Sequence, residues 1–220
     1  MDEPNRSSPD ATVAQFLTTE HFNLQTERAV ANADINARMQ LYMSSLSATI
    51  ITLALATQFS GGGDAFRGFA MVLLPTVYVF GLITLGRLAQ AWDAWFAASQ
   101  GMGRIRHYFA EQAPGIRDYL VMPTGDEPWR TLRGAGVTRG SYNWVNGLFT
   151  APAAVTLIDS VVAGVFCGVV ASTLTDSRAV QAVAGVAGFA SSFFALTALG
   201  NRGFRARIAA AEVRFPDDGA

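Results

Sequence analysis

The sequence predicts an all-α polytopic membrane protein, with four transmembrane helices arranged as two antiparallel hairpins and long helices extending into the cytoplasm. Three observations predict it. Charged residues make up only 15% of the 220-residue chain, against about 25% in typical soluble domains. Four runs are nearly free of Asp, Glu and Arg over the length a bilayer demands. The arginines gather on one side of those runs.

Each acidic or basic side chain at a bilayer centre costs about 2.5–3.5 kcal/mol on insertion scales, so a spanning helix must avoid them for about 20 residues. The runs that do so place spans at Leu41–Phe59, Gly68–Leu88, Ala153–Leu174 and Val180–Leu199. The turn Ser60-Gly61-Gly62-Gly63-Asp64 joins the first two, and a short turn at Asp176 and Ser177 joins the last two. Both joints are too tight for anything but helical hairpins. Strands are disfavoured because no run alternates. A soluble bundle would need a polar shell around four such helices, and the rest of the chain is too short to supply one.

All sixteen basic residues are arginine. Fourteen lie in the amino-terminal segment, the middle loop and the tail, and only Arg67 and Arg178 lie in the hairpin turns. The positive-inside rule then puts both termini and the middle loop in the cytoplasm. The expected organisation is a cytoplasmic amphipathic segment at 1–40, a first hairpin at 41–88 and a cytoplasmic helical loop at 89–150. A second hairpin at 151–200 and a cytoplasmic tail at 201–220 follow. With so little chain outside, an extracellular ligand is a poor fit.

In the first segment Ser8, Pro9 and Asp10 signal a helix start. Val13, Leu17, His21, Leu24, Arg28, Ala31 and Ile35 then recur at steps of three and four, the spacing of one helix face. No Gly or Pro separates this helix from the first span. After the second span, Trp92, Trp95 and Phe96 suggest an interfacial aromatic belt. The helix is expected to stop at Gly101 and Gly103, with a shorter helix over 104–111 and another opening at Pro114. Residues 123–147 read mainly as loop, with Trp129 and Trp144 as surface anchors.

The stretch Thr19-Glu20-His21-Phe22-Asn23-Leu24-Gln25 with Arg28 resembles the opening of a family of uncharacterised small bacterial four-helix integral membrane proteins. Gly103-Arg104-Ile105-Arg106-His107-Tyr108, with Ala113-Pro114 and Ile116-Arg117, is similar to the middle loop of that family. The resemblance covers most of residues 15–175. It implies an architecture and no activity; the expected location is a bacterial inner membrane.

Several residues are candidates for function. Asp159 lies about seven residues inside the third span, and intramembrane carboxylates are functional candidates by default. It is a cation or proton site, an interfacial residue near a helix amino terminus, or the partner of an arginine or hydroxyl inside the bundle. Ser45, Thr49 and Thr52 share a face of the first span, either lining a polar pathway or bonding within the bundle. Gly164, Gly168 and Ser172 on the third span, and Ala184, Gly188 and Ser192 on the fourth, are small residues at four-residue spacing. They suit close packing of these two helices or self-association between chains. Pro75 is expected to kink the second span or to be a tolerated break in it. Arg104, Arg106, His107 and Arg117, with Arg202 and Arg205, are a candidate anion or lipid-headgroup site; positive-inside anchoring explains them equally well.

Other chemistry is disfavoured. The lone Cys167 forbids an internal disulfide, and two histidines do not make a zinc cluster. No nucleotide-binding loop, hydrolase triad or metalloprotease motif is present, so neither catalysis nor a cofactor is expected. A net charge of −1 does not suggest nucleic acid. The expected partners are the lipid bilayer, further copies of the chain, and a small ligand or protein of unknown identity. The leading functional expectation is an oligomeric channel or pore. A signalling module that binds an anion, lipid or protein through its arginines comes next, and a structural scaffold after that.

Overall fold

A computed structural model describes residues 9–60, 63–133 and 150–216. Ser8, Gly61, Gly62 and Trp144, and with them the expected helix start, most of the first turn and one surface anchor, lie outside the described residues. Among the described residues the chain is helical, with no strand. Four long helices dominate: α1 (Pro9–Ser60), α2 (Asp64–Gln112), α4 (Ala151–Leu174) and α5 (Arg178–Ala210). Between α2 and α4 come a 3-10 helix (Pro114–Tyr119) and the short α3 (Pro128–Arg133). Each of the four is long and apolar enough to cross a membrane. At 1.5 Å per residue, α1 is about 78 Å long, far more than a hydrocarbon core of about 30 Å.

The elements fall into two compact units. The apolar unit comprises residues 34–90 and 150–210, and the polar unit residues 9–33, 91–133 and 211–216. In the apolar unit Tyr42, Ala70, Leu74, Val77, Leu88, Val155 and Val162 form the buried core. Its outward face is also apolar. Ile50, Ile51, Val72, Ile83, Val161, Val183, Val186 and Phe194 are all exposed, which is an unfavourable surface in water and a favourable one in lipid. Pro152 sits in the first turn of α4, where its missing N–H costs nothing. Beyond Leu174 the chain reverses within three residues. The Ser177 N–H donates to Thr175 Oγ1 (3.2 Å), and Gln181 Nε2 donates to the Thr175 carbonyl (2.8 Å).

In the polar unit, Leu17, His21, Leu24, Arg28 and Ala31 all lie on the covered side of α1, whereas Val13 is exposed. Here the structure departs from expectation in two places. The helix does not stop at Gly101 and Gly103; α2 runs through both to Gln112. The reason is packing. A Cβ on Gly101 would stand 2.8 Å from Leu24 Cδ1, and one on Gly103 2.5 Å from the Gly125 carbonyl oxygen. These glycines serve close approach, and the helix ends where Pro114 forces Ala113 out of helical geometry (φ −139°, ψ 80°). Trp95 and Phe96 are buried inside the unit and do not form an exposed belt; Trp92 stacks on Phe96 at 5.2 Å. The tail is helical as far as Ala210, eleven residues beyond Leu199. Pro75 lies inside α2 without ending it.

Candidate functional sites

Asp159 occupies the ninth position of α4, about 12 Å along its axis. It is fully buried. Its Oδ1 accepts a 2.7 Å hydrogen bond from the hydroxyl of Tyr42, which is itself fully buried on α1. Its Oδ2 has no partner. The carboxyl group fills the place that a Cβ on Gly81 of α2 would take. Three helices therefore meet at this group. Of the alternatives open to Asp159, the structure shows a hydroxyl partner inside the bundle.

Ser45, Thr49 and Thr52 do not join this site. Thr49 donates to the Ser45 carbonyl (2.9 Å), and the exposed Thr52 donates to the Ala48 carbonyl (2.8 Å). Both hydroxyls satisfy themselves on their own helix, as hydroxyls in apolar helices often do. Tyr42 escaped the sequence reading because an aromatic at the start of a span resembles an interfacial anchor. Its only signal was a polar tip among apolar neighbours.

The small residues of α4 and α5 meet each other. A Cβ on Gly164 would lie 2.8 Å from the Gly185 carbonyl oxygen, and one on Gly188 2.6 Å from Cys167 Sγ. Gly168 faces the Gln181 carbonyl oxygen, 3.6 Å from where its Cβ would stand. Numbering runs in opposite senses along the two contacting faces. Ser172 bonds back to the Val169 carbonyl, and Ser192 pairs with the Tyr78 hydroxyl of α2 at 3.2 Å. Ala184 is half-buried. Gly185 and Cys167 were not singled out in the sequence, although Gly185 continues the same small-residue pattern.

In the polar unit the arginines divide. Arg104 donates to Asp126 Oδ2 (2.8 Å) and to the Glu212 carbonyl (3.0 Å). His107 lies 3.2 Å from Glu111 and 4.9 Å, ring to ring, from Phe215. Arg117 sits on the exposed 3-10 helix. Arg202 and Arg205 are exposed on α5 in the apolar unit. Arg106 instead shares a recess with Arg28, which Trp95, Ser99, Gly103 and Thr131 help to line. The Arg28 guanidinium lies over the Trp95 ring at 5.2 Å, and Arg106 donates to the Pro123 carbonyl at 3.3 Å. Among the described residues no carboxylate pairs with either. Burial and then the Arg28 charge hold Arg106 below its ordinary pKa. Burial and then Arg106 do the same to His21. Arg28 had one sequence signal: it was the arginine on a mostly apolar stripe.

A third feature went unforeseen. Asp126 is fully buried and binds three donors: Arg104, the Arg214 N–H (3.0 Å) and the Phe215 N–H (3.0 Å). Its own carbonyl accepts from Gln100 Nε2 at 2.8 Å. It fastens α2, the segment before α3 and the tail together. Among the described residues no cluster of His, Cys, Asp and Glu is arranged to hold a metal.

No protein-family model, curated protein or solved structure matches this chain.

Proposed function

We propose that this chain is a multi-pass membrane protein whose polar unit receives an anionic group, a phosphate or carboxylate, between Arg28 and Arg106. In this reading the four apolar helices cross a bilayer as two hairpins, and the arginine bias places both termini and the middle loop in the cytoplasm. In the same reading the bilayer is a bacterial inner membrane.

One observation carries the binding reading: two guanidiniums share a recess, and among the described residues no carboxylate pairs with either. Charges taken out of water are ordinarily paired, and like charges side by side repel. An anion that bridges the two removes that repulsion and accepts charge-assisted hydrogen bonds from both. It also ties α1 to α2, the helices that carry Tyr42 and Gly81. The protein then acts as an effector that senses a ligand through the packing of two helices. The pore reading draws on the hydroxyl face of α1, and the self-bonded Thr49 and Thr52 give it less support.

The test is thermal unfolding of the full chain in neutral detergent at low ionic strength, with inorganic phosphate or pyrophosphate added. Both anions are expected to raise Tm. An Arg28→Gln, Arg106→Gln double variant is expected to lose that response while unfolding no earlier than the wild type without ligand, because it also loses the repulsion. Each arginine removed singly should weaken binding by about 2 kcal/mol, roughly thirtyfold in Kd. Repeating the titration in nanodiscs with and without anionic phospholipid separates a headgroup from a soluble ligand. A wild-type protein that responds to none of these anions refutes the reading.

A further inference from the structure

We infer that Asp159 is a proton-binding site, held in the bundle as a neutral carboxylic acid with its proton on Oδ2. The inference is independent of the anion recess, since it rests on other residues and another unit.

The argument starts from what surrounds the carboxyl group. Asp159 is fully buried, and so is its one hydrogen-bond donor, Tyr42. α1 presents that hydroxyl and α2 presents Gly81, which has no side chain. Among the described residues no arginine or histidine forms an ion pair with Asp159, and no second carboxylate joins it in a metal-binding group. A metal ion such as calcium asks for six or more oxygen ligands, and among the described residues no group of acidic, histidine or cysteine side chains is arranged to supply them around this carboxyl. An isolated carboxylate out of water is so costly that the group takes up a proton instead. A proton asks for no further ligands and suits this environment best.

The two oxygens divide the roles. Oδ1 accepts from Tyr42 and acts as the carbonyl oxygen. Oδ2, which has no partner, is the oxygen that carries hydrogen. Protonation by solvent breaks one O–H bond of a hydronium ion, leaving water, as the Oδ2–H bond forms, and takes the group from −1 to neutral. Release of the proton leaves a buried charge supported by one hydrogen bond, so the junction of α1, α2 and α4 must admit water or loosen. Proton binding and helix packing are thereby linked, and proton uptake favours the closed junction.

Infrared spectroscopy of the full chain in lipid bilayers tests this directly. The wild-type minus Asp159→Asn difference spectrum is expected to show a carboxylic-acid C=O stretch at neutral pH, replaced by carboxylate bands as pH rises. In Tyr42→Phe the acid band should persist and shift, because Oδ1 loses its donor. A carboxylate signal from Asp159 at neutral pH overturns the inference. Should Asp159→Asn not fold, carboxyl-labelled aspartate in wild type and Tyr42→Phe supplies the readout. An acid band that moves between the two supports the assignment, and none that moves sinks it. Loss of the anion response alone would leave this result untouched.

Discussion

Two aspartates in this molecule are equally buried and oppositely provided for. Asp126, in the polar unit, binds three donors, one of them a guanidinium. Asp159, in the apolar unit, receives one hydroxyl and keeps an oxygen without a partner. The difference follows from what each unit has to offer. Chain ends and loops supply unpaired backbone N–H groups, and the polar unit contains the tail and the segment between α2 and α3. In the apolar unit the backbone N–H groups are consumed within helices, leaving only side-chain donors. Asp126 is accordingly a fastener that works as an anion. Asp159 is a group whose charge its surroundings do not support.

The largest expected effect comes from breaking the better-provided member. Asp126→Asn removes the counter-charge of Arg104 and turns one acceptor into a donor facing the Arg214 and Phe215 N–H groups. Losing one member of a buried pair costs about 3–5 kcal/mol. The lower end applies here, because the Arg104 side chain keeps 29% of its surface exposed. Limited proteolysis should show early cleavage of the tail beyond Ala210. A variant with wild-type protection would show that the clamp is incidental.

Next in size is the close approach at the poorly provided site. Gly81→Ala puts a methyl group where the Asp159 carboxyl lies, and overpacking of this kind costs about 1–3 kcal/mol. A lowered Tm in detergent is expected, with the infrared signature of Asp159 altered as its bond to Tyr42 is displaced. An unchanged Tm would mean that α2 does not press on Asp159.

The smallest effect is in pH dependence, and its sign separates the two aspartates. Burial alone would raise the Asp126 pKa. The Arg214 and Phe215 N–H groups and Arg104 outweigh it and hold the carboxyl below its ordinary value. A depressed folded-state pKa gives stability that is present above the ordinary aspartate range near ~4 and is lost as pH falls through the lower folded value. Amide exchange at Arg214 and Phe215 should therefore stay slow through mild acid and accelerate only in stronger acid. The Asp159 junction should respond in the opposite direction and loosen as pH rises. Acceleration at both sites on the same side of neutrality would erase the contrast.

Much of the fold was legible because it depends on composition along the chain. Four nearly charge-free runs marked the four long apolar helices, and the stripe from Leu17 to Ala31 marked the covered side of α1. The small residues of α4 and α5 were legible for the same reason, since helical spacing alone puts Gly164 and Gly168 on one face. Where reading failed, a residue had two uses that a linear pattern does not separate. Gly101 and Gly103 break helices as readily as they admit neighbours, and the choice depends on Leu24 and Gly125 arriving opposite them. Trp95 suits a membrane interface or a buried stack, and Arg28 decides by lying over its ring.

By itself the sequence determined that the chain is helical, that four of its segments are apolar enough to enter lipid, and that Asp159 sits within one of them. These are properties of each stretch taken alone, set by side-chain transfer energies and helical period. Only the tertiary structure decided that Tyr42 caps Asp159, that Gly81 makes room for it, that Arg106 faces Arg28 and that Asp126 fastens the tail. Those are meetings between residues far apart in the chain. Their chemistry depends on which donors and charges packing leaves within a few ångströms, a quantity that no local pattern encodes.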